Sequence, residues 1–360
     1  MRIGLLSGML LLLCGCAAQP KLTLKQTGAA SSQFRFVTGA IKPEDLAHVP
    51  GTRWVIASGF ATGAGLKIVD SVSRKAEVWF EGRADQIAPD PGLSDCKTPP
   101  DPALFTARGI SFRAIAPGQA QLLVVNHGGR EAIERFQVDF TDASARPQLR
   151  WQGCMRMPEG QVANAVASYS DGTVLATVLT RPGTTITDFV LGRTTGAVYE
   201  RVPGEGAFRL LPGTELPGNN GLETARDDGG FYVIAFGLRE VVAFARRDTR
   251  QPLWRVTAPD FMPDNIHWDG DRLLLAGMVR DEPACGGLRQ IVNGVADGML
   301  CHRGWRVAQL DPATRQMSVI ASGPSDAIFN GVSAAIIVDG ALWLGSYQAD
   351  RIAIANNYMN

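Results

Sequence analysis

Met262-Pro263-Asp264-Asn265-Ile266-His267-Trp268 sets a carboxylate and a carboxamide side by side just before an apolar strand. Both side chains offer oxygen to a partner in front of that strand. Comparable strand heads recur at Glu44-Asp45-Leu46, Arg108-Gly109-Ile110, Asn164-Ala165-Val166, Asn220-Gly221-Leu222 and Asn330-Gly331-Val332, at intervals of 44 to 66 residues. Each interval holds about four short strands, and self-similarity at such a period marks a repeat architecture. Six units closed into a ring bring six innermost strands to one axis. Five of the six heads then present carboxylate or amide oxygens to one point, the donor set that a hard cation such as calcium requires.

The strand pattern agrees. Runs such as Trp54-Val-Ile-Ala-Ser58, Gln121-Leu-Leu-Val-Val-Asn126, Thr173-Val-Leu-Ala-Thr-Val178, Phe231-Tyr-Val-Ile-Ala235, Arg272-Leu-Leu-Leu-Ala276 and Ala341-Leu-Trp-Leu-Gly345 are short and bounded by Gly, Asp or Pro. Asp171-Gly172, Asp227-Asp228-Gly229, Asp269-Gly270 and Asp339-Gly340 supply hairpin chemistry between first and second strands. No stretch has a long helical period. The fold class expected is all-β, a six-bladed β-propeller over residues 34–360, with Phe34-Arg-Phe-Val37 completing the last blade. Longer links at Asp85 to Phe105, Thr180 to Arg193 and Asp281 to Arg303 are expected over one or other face.

The first residues read as processing information. A positive Met1-Arg2, an apolar run from Ile3 and Leu13-Cys14-Gly15-Cys16 form a lipoprotein signal over 1–15, with acylation of Cys16 and a tether over 16–33. That predicts a protein of the bacterial cell envelope, held by its lipid anchor alone at the outer membrane and facing the periplasm. Cys96, Cys154, Cys285 and Cys301 remain, and four thiols in an exported chain read as two disulfides. Cys285 and Cys301 flank one Gly-rich insertion and pair, which leaves Cys96 with Cys154; no zinc spacing is present. Lys plus Arg equals Asp plus Glu at 35 each, so net charge gives no support to a nucleic-acid partner. There is no GxSxG, HExxH or P-loop. His48, His267 and His302 are isolated and read as loop or strand residues.

Glu44, Asn164, Asn220, Asp264 and Asn265 form the expected cage. Its two carboxylates balance one divalent ion and its three amides complete the shell without repulsion. Asn and Asp also cap turns at strand ends, and Asn330 is a spare ligand or such a turn residue.

Glu44-Asp45-Leu46, Leu123-Val-Val-Asn-His127, Asn164, Asn220-Gly221 and Asp264-Asn265, in this order and spacing, resemble the paraoxonase and arylesterase family. More distantly they resemble the gluconolactonase and strictosidine-synthase-like propellers. The resemblance implies a six-bladed propeller with a catalytic calcium in its channel that hydrolyses lactones and aryl esters, with the calcium ligands falling on the same five residues. It implies a second, structural calcium using Asp45 and the backbone carbonyl of Ile110, although the aspartate that completes that site is Ala165 here. His127 matches one histidine of the family's dyad, and the other is replaced by Arg108. A guanidinium cannot accept a proton, but it can hydrogen-bond an oxyanion or a substrate carboxylate.

The expected function is therefore calcium-dependent hydrolysis of a lactone or ester, with His127 or a cage carboxylate as base. The alternatives are a non-catalytic, calcium-stabilised propeller binding a small ligand or an envelope protein, and a metal-free condensing activity. Substrate identity and oligomeric state are not encoded in these motifs.

Overall fold

The computed structural model describes residues 34–296 and 301–355. The signal, Cys16, the tether and residues 356–360 lie outside them.

Among the described residues, six four-stranded antiparallel sheets form the body of the protein. Blade 1 runs Leu46–His48, Trp54–Ala57, Lys67–Asp70 and Lys75–Val78 from the axis outward. Blade 2 comprises Ala107–Ala116, Gln119–Asn126, Ala132–Asp139 and Gln148–Arg156. Blades 3, 4 and 5 start with Ala163–Ser168, Asn219–Thr224 and Phe261–Asp269. Blade 6 takes Val332–Val338, Ala341–Ser346 and Arg351–Ala355, and its outer strand is Phe34–Thr38, paired with Arg351–Ala355. The two ends of the described chain are thus sewn into one sheet. Each inner strand touches the next around the circle, and Val332–Val338 touches Leu46–His48. The protein is a six-bladed β-propeller.

Packing follows the same geometry. A blade has two faces, and alternate side chains of each strand bury against one neighbour or the other. The described core accordingly divides into six clusters, one at each blade interface. Ile56, Phe105 and Phe136 fill the first, and Val37, Val69 and Ile336 seal the last.

Antiparallel order also fixes where the links go. Inner strands start, second strands end and third strands start at one face, so every second-to-third link and every blade-to-blade link emerges there. All three long links expected from the sequence are of these kinds, so they share a single face, the one carrying the strand heads. Among the described residues they include the helix Ile186–Val190, capped by Thr185 and Asp188, and the small hairpin Ile291–Val292 with Val295–Ala296. Cys96–Cys154 ties the first of these links to blade 2, and Cys285–Cys301 closes the third, the pairing expected from the sequence.

In five blades the head of the inner strand carries a one-residue bulge. Ala107 faces Asn126 while Ile110 faces Val124, and the same offset occurs at Ala163/Val166, Asn219/Leu222, Pro263/Ile266 and Val332/Ala334. Two residues then oppose one, and the strand twists to re-aim them. A Cβ on Gly221 would lie 2.4 Å from the Asp264 carbonyl oxygen, and one on Gly109 2.7 Å from that of Asn164. These glycines let one bulge stack on the next. Gly221→Val should therefore separate blades 4 and 5 at the axis and cost about 1–3 kcal/mol, read as a lowered urea midpoint at unchanged slope; a wild-type midpoint would show that the stacking carries no constraint.

Candidate metal centre

The bulges set the site. Asn164, Asn220 and the adjacent Asp264 and Asn265 each occupy a bulge, and Glu44 stands just before the first inner strand. All five side chains converge on the axis and are 0 to 6% exposed. Asn164 Nδ2 donates to Asn220 Oδ1, Asn220 hydrogen-bonds Asp264, and Asn265 Nδ2 donates to the Glu44 carbonyl at 3.2 Å and to Glu44 Oε1 at 3.3 Å. Backbone struts hold this arrangement. The Thr177 hydroxyl accepts from Ala165 N–H at 3.0 Å and donates to the Asn220 carbonyl at 2.7 Å, and Ser333 donates to the Glu44 carbonyl at 2.6 Å.

Asn330, the candidate sixth head, is not in the cage. Its amide reaches Gln348 and its carbonyl accepts from Ser346, so it is the turn residue of the two readings; the bulge of blade 6 falls at Ser333.

Burial pushes the Glu44 carboxyl up to about 8, opposed by Arg108 and reinforced by Asp45 and Asp264; burial likewise pushes Asp264 up to about 7. Low dielectric disfavours two like charges so close together. Arg108 supplies partial compensation, its Nε 3.8 Å from Glu44 Oε1 and its guanidinium 4.7 Å above the Phe60 ring.

Glu44 Oε2 and Asn164 Oδ1 are buried without a hydrogen-bond partner. Such an orphaned acceptor costs on the order of 1–3 kcal/mol. Among the described residues no three His, Cys, Asp or Glu side chains form a metal-binding group. The axis instead offers two carboxylates and three carboxamides with acceptors to spare, and this all-oxygen set fits a hard cation.

The neighbouring level of the channel is arranged differently. Asp45, expected from the resemblance to serve a second ion, is taken up by protein donors: Leu46 N–H and Ile110 N–H, each at 2.9 Å, and His267 Nε2 at 2.6 Å. Ile110 therefore meets Asp45 through its amide. Glu223 lies 3.9 Å from the other ring nitrogen. Burial alone would lower the His267 pKa, but Asp45 and Glu223 override it and push it up to about 10. A side-chain cation thus stands on Asp45. His267, isolated among the sequence motifs, is thus part of the channel; strand alternation, which puts residues 265 and 267 on one side of a strand, is the signal for it. Beyond it the channel widens to a cavity of about 490 Å³ that opens on the opposite face, beside Arg113 and Trp268.

His127 directly follows the second strand of blade 2 on the cage side. Its Nδ1 is 2.8 Å from Glu131 Oε2, its ring meets Phe60 edge-on at 5.9 Å, and its buried Nε2 has no partner. Its contacts are thus with Glu131 and Phe60, and Phe60 stands between it and Arg108. The 127–131 turn is braced from below: Arg130 pairs with the buried Glu134 at 2.7 Å, and Asn126 and Trp151 also donate to that carboxylate.

No family model matches the chain. No curated protein matches it either. Among solved structures it is similar to a luciferin-regenerating enzyme, with TM-score 0.50 and 11% identity over 90% of this chain and 96% of that one. It is equally similar to regucalcin, a calcium-binding protein from Agrobacterium tumefaciens, with TM-score 0.50 and 10% identity over 90% and 94% of the two chains. The likeness is one of fold.

The His267–Asp45 contact yields a stability test. Because His267 is held above its ordinary value, its contribution is full below about pH 6.5 and is lost as pH rises toward 10. His267→Gln should lower the urea midpoint at pH 6 and flatten the alkaline fall, while an unaltered pH profile would deny the pairing.

Proposed function

We propose that the protein is a calcium-dependent hydrolase of lactones or of aryl and alkyl esters, lipid-anchored at the envelope and working at the propeller axis, as its resemblance to paraoxonases and arylesterases implies. The observation that carries this reading is the pair of orphaned oxygens, Glu44 Oε2 and Asn164 Oδ1, inside an all-oxygen cage beside Arg108. The calcium-binding regucalcin, of the same fold, supports the choice of ion.

Bound calcium would polarise a substrate carbonyl and stabilise the negative charge that develops on its oxygen. Glu44 and Asp264 would hold the ion as carboxylates, with Asn164, Asn220 and Asn265 completing the shell. Arg108 donates to the carbonyl oxygen or to a carboxylate on the substrate. Its stacking on Phe60 keeps the guanidinium in place and shields that side from water. His127 Nε2 takes the proton of the attacking water. Glu131 at Nδ1 fixes the ring and supports the imidazolium that results, the division of labour of a base and its orienting carboxylate.

A second reading has its own observation. His127 is bonded to Glu131 and packed on Phe60 rather than joined to the cage, and Arg108 cannot act as a base. On that reading the ion is structural and the channel face binds a ligand or envelope protein without turnover.

Hydrolysis of γ- and δ-lactones and phenyl acetate is expected to cease with EDTA and return with calcium. Asp264→Ala should remove turnover and calcium binding together. His127→Gln should lower kcat by roughly 10²–10⁴ while a calcium-induced rise in Tm persists. Calcium stabilisation with background rates on every substrate would decide for the non-catalytic reading.

A further inference from the structure

Next to the cage, on the face that carries the long links, lies a separate pocket of about 290 Å³. Its walls are apolar, with Phe189, Phe236 and Leu288 among them, yet three guanidinium groups line it: Arg239, Arg280 and Arg289. Arg239 comes from the second-to-third link of blade 4, and Arg280 and Arg289 come from that of blade 5. Three links of different blades therefore meet here, Phe189 being on the helix of blade 3.

Among the described residues neither Arg239 nor Arg280 forms an ion pair. The acids that act on Arg239 are engaged elsewhere, Asp260 with Arg306 at 3.6 Å and Glu240 with Arg255 at 3.0 Å. Burial and the like charge of Arg280 hold Arg239 below the usual guanidinium range. Arg239 Nη1 donates to the Ala258 carbonyl at 3.3 Å, Arg289 lies 5.5 Å from the Phe236 ring centre, and these contacts orient both cations. Holding like charges together in a partly dry, apolar recess is unfavourable unless an anion joins them.

The pocket also adjoins the reaction centre. Met262 belongs to its wall and stands two residues before Asp264 on the same strand, and Arg289 is close enough to act on the Asp264 carboxylate. A molecule whose carbonyl lay at the cage would project its side arm here.

We propose that this pocket is the subsite for an anionic side arm, so that the preferred substrate is an ester or lactone bearing an apolar chain that ends in a carboxylate or phosphate. The inference rests on the hydrolase reading for its link to turnover, but not for anion binding itself.

Two measurements separate the two claims. The first compares kcat/KM for monophenyl adipate, which carries a free carboxylate, with that for its neutral methyl ester. Wild type should favour the anion by about tenfold, equivalent to ~1.4 kcal/mol; Arg280→Gln and Arg239→Gln should bring the ratio near one, and Arg280→Glu should invert it. The ratio is internal to each variant and is insensitive to the fraction folded. The second follows calorimetric binding of octanoate and octyl phosphate, with octan-1-ol as the neutral control. Binding of either anion, weakened in Arg280→Gln, supports the subsite, and the tighter of the two identifies the head group. Anion binding without turnover of any ester would keep the subsite and remove the hydrolase. Turnover with no charge preference and no anion binding would remove the subsite and keep the hydrolase.

Discussion

The extra residue at the head of five inner strands is the constraint on which the axial site depends. Without it, successive side chains would point to opposite sides of the blade, and Asp264 and Asn265 could not both serve the axis. With it, each blade presents its polar side chains to the channel before the regular ladder resumes. The bulges must then lie against one another, and Gly109 and Gly221 make that possible by having no Cβ. Thr177, Ser333 and Asp45 complete the junctions by bonding the backbone of the adjoining blade. The ring closes and the cage forms through the same contacts.

Charge along the axis follows from this geometry. Glu44 and Asp264 sit close enough together, and dry enough, that each is held well above the usual carboxylate range. Arg108 offsets part of the repulsion from the side of Phe60. At the next level Asp45 has His267 beside it, and the protein itself provides the cation there. One level thus balances its acid with a side chain, and the other leaves oxygen acceptors unpaired. This asymmetry makes the cage of Glu44, Asn164, Asn220, Asp264 and Asn265 the place for an ion.

The face that carries the cage also carries the three long links, because each is a second-to-third or blade-to-blade link and strand parity brings links of those kinds to this face. Those links are held down rather than free. Cys96–Cys154 and the Asp95–Arg201 pair fix the first of them to blades 2 and 3. Thr187 accepts from Ala296 N–H at 2.9 Å, joining the link of blade 3 to that of blade 5. The walls around the axis are therefore built from several blades at once, with apolar surface from Phe189 and Phe236 and positive charge from the arginines beside them.

The sequence by itself determined the repeat, the number of blades, the strand that closes the ring, both cysteine pairings and the five oxygen-bearing residues that meet at the axis. Each is written in spacing or local chemistry: Asp-Gly turns between first and second strands, apolar runs of strand length, a Gly-rich insertion between two cysteines. Only the tertiary structure decided that Asn330 turns away to Gln348 while Ser333 takes the bulge, that His267 lands on Asp45, and that three arginines from two links line one pocket. The reason is distance along the chain. His267 and Asp45 are separated by 222 residues, and their meeting depends on how far the three intervening blades rotate the ring. Period and turn chemistry fix the units, whereas the angle between them is set by side-chain packing at six interfaces.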